Sequence, residues 1–164
     1  MQIRPVRESD LSEIQKVARK AWLHTYRGIL PKESILKFIS HAYSLDNLRK
    51  AWKKDCNKPQ RQFYVATENN RIVGYGEMVE REPGKYELTR IYILPEFQGR
   101  GIGKRLLNQL METADPLQCM FAWVEKENIS GRSFYQSMDF HAEEEVEDNF
   151  FGTVTKLLKY VRNW

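Results

Sequence analysis

Residues Glu87–Lys104 read ELTRIYILPEFQGRGIGK. An apolar run, Leu88, Ile91, Tyr92, Ile93 and Leu94, has the composition of a strand and ends at Pro95. Gly99, Gly101 and Gly103 follow at alternate positions, and an amphipathic helix begins near Ile102. A strand that passes through a glycine turn into a helix start is a cradle for phosphate. Glycine reaches positive φ and lets a ligand come close to the backbone. The first amides of the helix lack internal partners, and the helix dipole favours an anion there. Arg100, Lys104 and Arg105 add cations around the same turn.

Spacing excludes two common phosphate loops. A Walker loop needs glycine five residues before Gly-Lys and a hydroxyl after it; here those places hold Gln98 and Arg105. The dinucleotide pattern needs glycine three residues after Gly101, where Lys104 stands. What remains, Gln98-x-x-Gly101-x-Gly103, resembles the loop with which the GNAT superfamily of N-acetyltransferases binds the pyrophosphate of coenzyme A. A second segment, Asn128-Ile-Ser-Gly131-Arg132-Ser-Phe134-Tyr135-Gln-Ser-Met-Asp139-Phe140, is similar to the family's Asn-x-x-Ala-x-x-Phe-Tyr-x-x-x-Gly-Phe. It departs at two places, Gly131 for the small Ala and Asp139 for Gly. Asp tolerates the left-handed conformation that the second place requires.

Composition agrees with a single domain over residues 1–164, 41% hydrophobic and 12% aromatic. No apolar run approaches a membrane span, and MQIRPVRESD lacks a secretory signal's apolar stretch. Cys56 and Cys119 make no metal pattern, and His24, His41 and His141 have no ligand spacing, so no metal and a cytoplasmic location are expected. Residues 1–62 carry a net charge of +8 and residues 63–164 a net of −4. Arg49-Lys50 and Lys53-Lys54 read as a solvated helix face, so neither nucleic acid nor membrane is an expected partner.

Along the chain, strand periodicity covers 2–6, 62–67, 72–79, 86–94, 119–125, 140–146 and 152–161, the last two joined by an acidic turn. Helical periodicity covers about 11–24, 31–38, 45–54, 102–114 and a segment opening at Asn128, and Ser9 is a candidate N-cap for the first. Asn69-Asn70 fits a hairpin turn. The order is α+β. The resemblance implies a mixed, mostly antiparallel sheet of six to seven strands flanked by helices, with the strands at 86–94 and 119–125 splayed apart.

The resemblance further implies an enzyme that transfers an acetyl group from acetyl-CoA to a primary amine of a small molecule by direct attack in a ternary complex. Pantetheine would pair with Ile91, Tyr92 and Ile93. The pyrophosphate would sit on Gln98, Gly99, Arg100, Gly101, Ile102, Gly103 and Lys104, and Asn128, Gly131, Arg132 and Tyr135 would complete the coenzyme site. Acetyl transfer needs a deprotonated amine, an oxyanion donor and a proton for the leaving thiolate. Tyr135 takes the last role by resemblance, and a backbone amide near Tyr92 or Ile93 the second. Glu87 is the first candidate base and Glu77 the competitor. Cys119 as a covalent carrier is less fitting than Cys119 as a small buried thiol.

Ala21–Pro31 (AWLHTYRGILP) resembles the corresponding stretch of PaiA-like spermidine/spermine acetyltransferases. It points to Trp22 and Tyr26 as substrate-binding residues beside Glu77. The acidic run Glu143–Asp148 suits a polyamine. A protein N-terminus or lysine as acceptor, or a CoA-binding module without turnover, remain alternatives. A homodimer is expected only because family members often form one.

Overall fold

The computed structural model describes residues 1–164. Seven strands form one sheet in the order β1-β2-β3-β4-β5-β7-β6, where β1 is Gln2–Pro5, β2 Phe63–Glu68, β3 Arg71–Glu82, β4 Lys85–Ile93, β5 Cys119–Glu125, β6 His141–Phe150 and β7 Thr153–Asn163. Every neighbouring pair is antiparallel except β4 and β5. The helices are α1 (Leu11–Thr25), α2 (Lys32–Ala42), α3 (Leu45–Cys56), α4 (Ile102–Glu112) and α5 (Ile129–Ser137). The expected α+β class and splayed strand pair are both present.

Periodicity explains which face each element buries. In α4, Ile102, Leu106, Leu107 and Leu110 are buried and form one stripe. It packs on the sheet face where a Cβ at Gly74 would come within 3.5 Å of Leu106 Cδ1. In α1, Leu11, Ile14, Val17, Ala18, Ala21 and Trp22 are buried against the opposite face. There the Tyr75 ring meets those of Tyr43 and Tyr92. The two-residue alternation of β4 therefore sends Ile91 and Ile93 toward α4 and Tyr92 toward α1. Ser44 caps α3 by accepting the Asn47 N–H at 3.1 Å.

Two local expectations need correction. Ser9 does not cap α1: it lies in a 3-10 turn, Glu8–Asp10, that leads into the helix, and Asp10 closes that turn by accepting the Arg7 N–H at 2.8 Å and holding Arg4 at 2.7 Å. The acidic residues after 142 form no turn. They lie within β6, and the chain reverses at Phe151-Gly152, both at positive φ. The strand expected over 140–146 runs on to Phe150; it is an exposed edge, so no apolar alternation marks its second half. Its carboxylates are instead matched across the ladder, Glu147 opposite Lys156 and Glu144 opposite Lys159. The Asn69-Asn70 hairpin has the expected positive φ at both residues, and Asp139 takes φ 65°.

Candidate active site

Strands β4 and β5 pair only from Lys85–Glu87 to Cys119–Phe121. Beyond that point they diverge, and β4 runs on to Ile93 with nothing on its β5 side. Burying unpaired peptide groups is costly, so a gap of this kind is stable only where something else meets them. The gap opens into a cavity of about 680 Å³, lined by β4, the glycine turn, the start of α4, β5, α5 and the end of α1.

The register against β3 decides which amides face the gap. Leu94 donates its N–H to Val73 O at 2.8 Å. Successive peptide groups alternate along a strand, so Tyr92 also points to β3, whereas Ile91 and Ile93 direct their N–H and C=O groups into the gap. Gln98 confirms the direction by donating Nε2 to Ile93 O at 3.1 Å. Of the two oxyanion candidates, Ile93 therefore presents its amide to the gap, and Tyr92 contributes its ring on the α1 side.

The cradle is built from backbone. Gly99 and Gly101 take φ of +76° and +78°, and a Cβ at either would meet nothing within 4 Å. Glycine is needed there for conformation, and open space stands where a ligand could approach. Gly101 caps α4, so the free amides of the first turn face that space. The residues present fit a diphosphate. Behind them, Gly103 lets α5 come close, since its Cβ would lie 3.1 Å from the Phe134 ring.

On the opposite wall, Asn128 opens α5. Its Oδ1 accepts the Gly131 N–H at 3.0 Å. A Cβ at Gly131 would come 2.5 Å from Asn128 Nδ2, so glycine here keeps the asparagine in place. Tyr135 lines the cavity and packs on Phe134, Phe140 and Tyr160 at 5.2, 5.5 and 5.9 Å between ring centres. Burial pushes its phenol well above its ordinary value, with the Tyr26 hydroxyl acting the same way. Tyr135 thus keeps its proton at neutral pH. Tyr26 and Tyr92 share a hydroxyl hydrogen bond of 2.9 Å at the α1 side. Burial raises Tyr26 to about 12, partly opposed by that bond.

Comparison with known proteins bears on this arrangement. The acetyltransferase (GNAT) family matches residues 21–140. The chain belongs to this family. A spermidine N(1)-acetyltransferase of Thermoplasma acidophilum is 30% identical to the acetyltransferase over 92% of this chain and 94% of its own length. The crystal structure of the PaiA N-acetyltransferase of the same organism, in complex with coenzyme A, superposes with a TM-score of 0.85 at 26% identity, covering 99% of this chain and 98% of that one. A ribosomal-protein-alanine N-acetyltransferase of Brucella melitensis superposes with a TM-score of 0.77 over the whole of both chains at 21% identity, which speaks for the fold alone.

The acetyltransferase brings most of the expected site residues together. Ile91, Tyr92, Ile93, Gln98, Gly99, Gly101, Ile102, Gly103, Lys104, Asn128, Gly131, Tyr135 and Tyr26 all line the gap. Five others stand outside it. Arg100 donates to Glu96 O at 3.1 Å and lies over the Phe97 ring. Arg132 donates to the Tyr160 hydroxyl and to Lys126 O, tying α5 to the sheet. Trp22 is buried among Tyr26, Phe38, Tyr92 and Phe150. Glu77 is buried against Arg90 at 3.2 Å and receives the Thr89 hydroxyl at 3.1 Å. Glu87 sits opposite Phe121, where the strands are still joined, and pairs with Arg81 at 2.6 Å. Neither proposed base reaches the gap, because each is engaged by an arginine that only strand pairing brings near. Cys119 lies at the same joined end, opposite Lys85, away from the gap.

Several wall residues escape sequence reasoning. Ser130, Ser133 and Ser137 line the cavity. They recur three and four residues apart, a polar stripe on α5 legible as a face of one helix. Phe97, Trp123 and His24 carry no such signal, since each reaches the wall through tertiary placement.

Proposed function

We propose that this acetyltransferase moves the acetyl group of acetyl-CoA to a primary amine of a polyamine, by direct attack within a ternary complex. The observation that carries the reading is the gap itself: two parted strands, a glycine cradle at one end, and a protonated tyrosine in the wall between. Gln98, Gly99, Gly101, Ile102, Gly103 and Lys104 would hold the coenzyme's pyrophosphate, with Ile91 and Ile93 pairing along its pantetheine arm. Acetyl-CoA supplies an activated acyl group on a thiol leaving group. The Ile93 N–H supports the acyl oxygen as charge develops on it. Tyr135 keeps a proton in position for the departing sulfur. The amine approaches from the α1 side, past Tyr26 and Tyr92, and must arrive there without its proton, since a free alkylammonium has a pKa of about 10.4.

The similarity to a spermidine N(1)-acetyltransferase supports the choice of acceptor. The test is release of free thiol from acetyl-CoA with spermidine, spermine, monoamines and a panel of peptides. Spermidine-dependent release well above the peptide rate is expected. Turnover of peptides with none of polyamines would overturn the acceptor, and binding of CoA with no acceptor turned over would overturn the enzyme reading.

A further inference from the structure

Glu125, the last residue of β5, is 7% exposed. Its Oε1 accepts the Glu127 N–H at 3.3 Å. Its Oε2 is buried with no hydrogen-bond partner. A buried carboxylate oxygen left unmatched is costly, and proteins rarely tolerate one without reason. No cation answers it. Lys126 is drawn to Glu145 at 2.6 Å, and Arg132 to Tyr160 and a backbone carbonyl. The charged neighbours are themselves negative. Burial raises the Glu125 carboxyl from its usual range; the charges of Glu127 and Asp148 act the same way, against the Glu127 N–H and the nearby Thr155 hydroxyl, which makes no hydrogen bond to Oε2.

Its place in the fold suggests what the missing partner is. Glu125 lies between Val124 and Asn128, both in the cavity wall. It stands opposite Leu157 on β7, and Asp148 stands opposite Thr155. Alternation puts Glu125, Leu157, Thr155 and Asp148 on one face. That is the α1 face, because Phe150, on the same alternation of β6, packs on Trp22 and Phe38. Tyr26, at the end of α1 and in the wall of the gap, feels the Glu125 charge. The coenzyme side of the gap is the α4 side. The acceptor side thus holds an unanswered carboxylate, backed by Asp148, just behind the wall of the gap beside Tyr26.

We propose that Glu125 is the counter-charge for the acceptor's ammonium, a specificity-determining residue that draws a cationic amine into the α1 side of the gap. The inference rests on the reading above that the acceptor is a polyamine: the attacking nitrogen is deprotonated, and the ammonium matched by Glu125 is one of its other nitrogens. A carboxylate kept without a partner in the free protein gains one when the substrate binds, which favours cationic acceptors over neutral ones of the same shape.

The test compares steady-state kinetics with spermidine for the unmodified protein, Glu125→Gln, Glu125→Leu and Glu125→Asp. Removing the charge should raise KM for spermidine about tenfold or more. KM for acetyl-CoA and the melting temperature should hold or, for the latter, rise, because an unfavourable buried charge is gone. Glu125→Asp should restore most of the affinity. Glu143→Gln, which removes an equal charge from the exposed edge of the sheet, should leave KM for spermidine unchanged. The proposal is overturned if either neutral variant folds and keeps KM for spermidine within twofold, or if Glu143→Gln raises it as much. Failure of the unmodified protein to turn over any amine would instead defeat the functional reading.

Discussion

Replacing Tyr135 by Phe removes one oxygen from the wall of the gap and leaves the ring contacts with Phe134, Phe140 and Tyr160 intact. The phenol lines the cavity, and no protein hydrogen bond contributes to holding its proton. The change should therefore cost less than about 1 kcal/mol of stability. If Tyr135 protonates the leaving sulfur, kcat at pH 7 should fall by about 10²–10⁴-fold, the range for a positioned general acid. That corresponds to about 3–5 kcal/mol on the barrier, at about 1.4 kcal/mol per tenfold. KM for acetyl-CoA should stay within a factor of about three if binding rests on the glycine cradle and the β4 amides. Because burial raises the Tyr135 phenol above its ordinary value, it stays protonated and the defect should persist up to pH 9.5. Free-thiol detection across pH 6.5–9.5, with a thermal melt of each protein, measures all of this. A Tyr135→Phe protein with kcat within threefold of the original at pH 7 would refute the assignment, and so would a loss that disappears by pH 9.5, where the buried phenol is still protonated.

The two carboxylates that sequence reading nominated as bases should separate by their ion pairs. Glu87→Gln breaks a half-exposed pair with Arg81 and should change stability by no more than about 1 kcal/mol, with kcat within threefold of the original, measured by urea unfolding and thiol release. Glu77→Gln leaves Arg90 buried without its partner and should destabilise by about 3–5 kcal/mol; a loss under 1 kcal/mol would contradict the buried pair. Alkaline pH offers a third check. Tyr26 is raised to about 12, and Tyr43, Tyr75, Tyr92 and Tyr135 are raised as well, each chiefly by burial. Their stabilising contribution is complete below the unfolded tyrosine pKa of about 10 and is lost as pH climbs toward the folded values. Tyr26 alone should cost about 1.4 kcal/mol by pH 11, so the urea midpoint should drop steeply between pH 10 and 12. A midpoint unchanged from pH 9 to 11 would show that these phenols ionise freely in the folded protein.

Local features were legible in the sequence because local forces create them. Glycine at 99 and 101 answers a positive φ that depends on no distant residue, and Asp139 and the Asn69-Asn70 hairpin follow the same logic. The apolar stripe of α4 follows from the geometry of a single helix, and the continuous apolar run of β5 marks a buried strand. The cradle side of the gap is a turn, a helix start and one short helix, each contiguous in the chain, and most of its lining could be read from them.

The α1 side could not, because its properties arise between elements distant in the chain. Glu77 and Glu87 looked free until pairing of β3 with β4 placed Arg90 and Arg81 beside them. Arg100 and Arg132 matched the pattern of a coenzyme site, but packing gave them nearer partners. The acidic run hid the far half of a strand, since an edge exposed to water needs no apolar alternation and found its support in the lysines of β7. The direction of the Ile93 amide depends on a register with β3 that composition does not encode. Glu125 has no local mark at all: its significance is that the fold buries it and brings no cation to meet it. A sequence specifies which residues can form a cradle or an ion pair, whereas only the closed chain sets which charges are left without one.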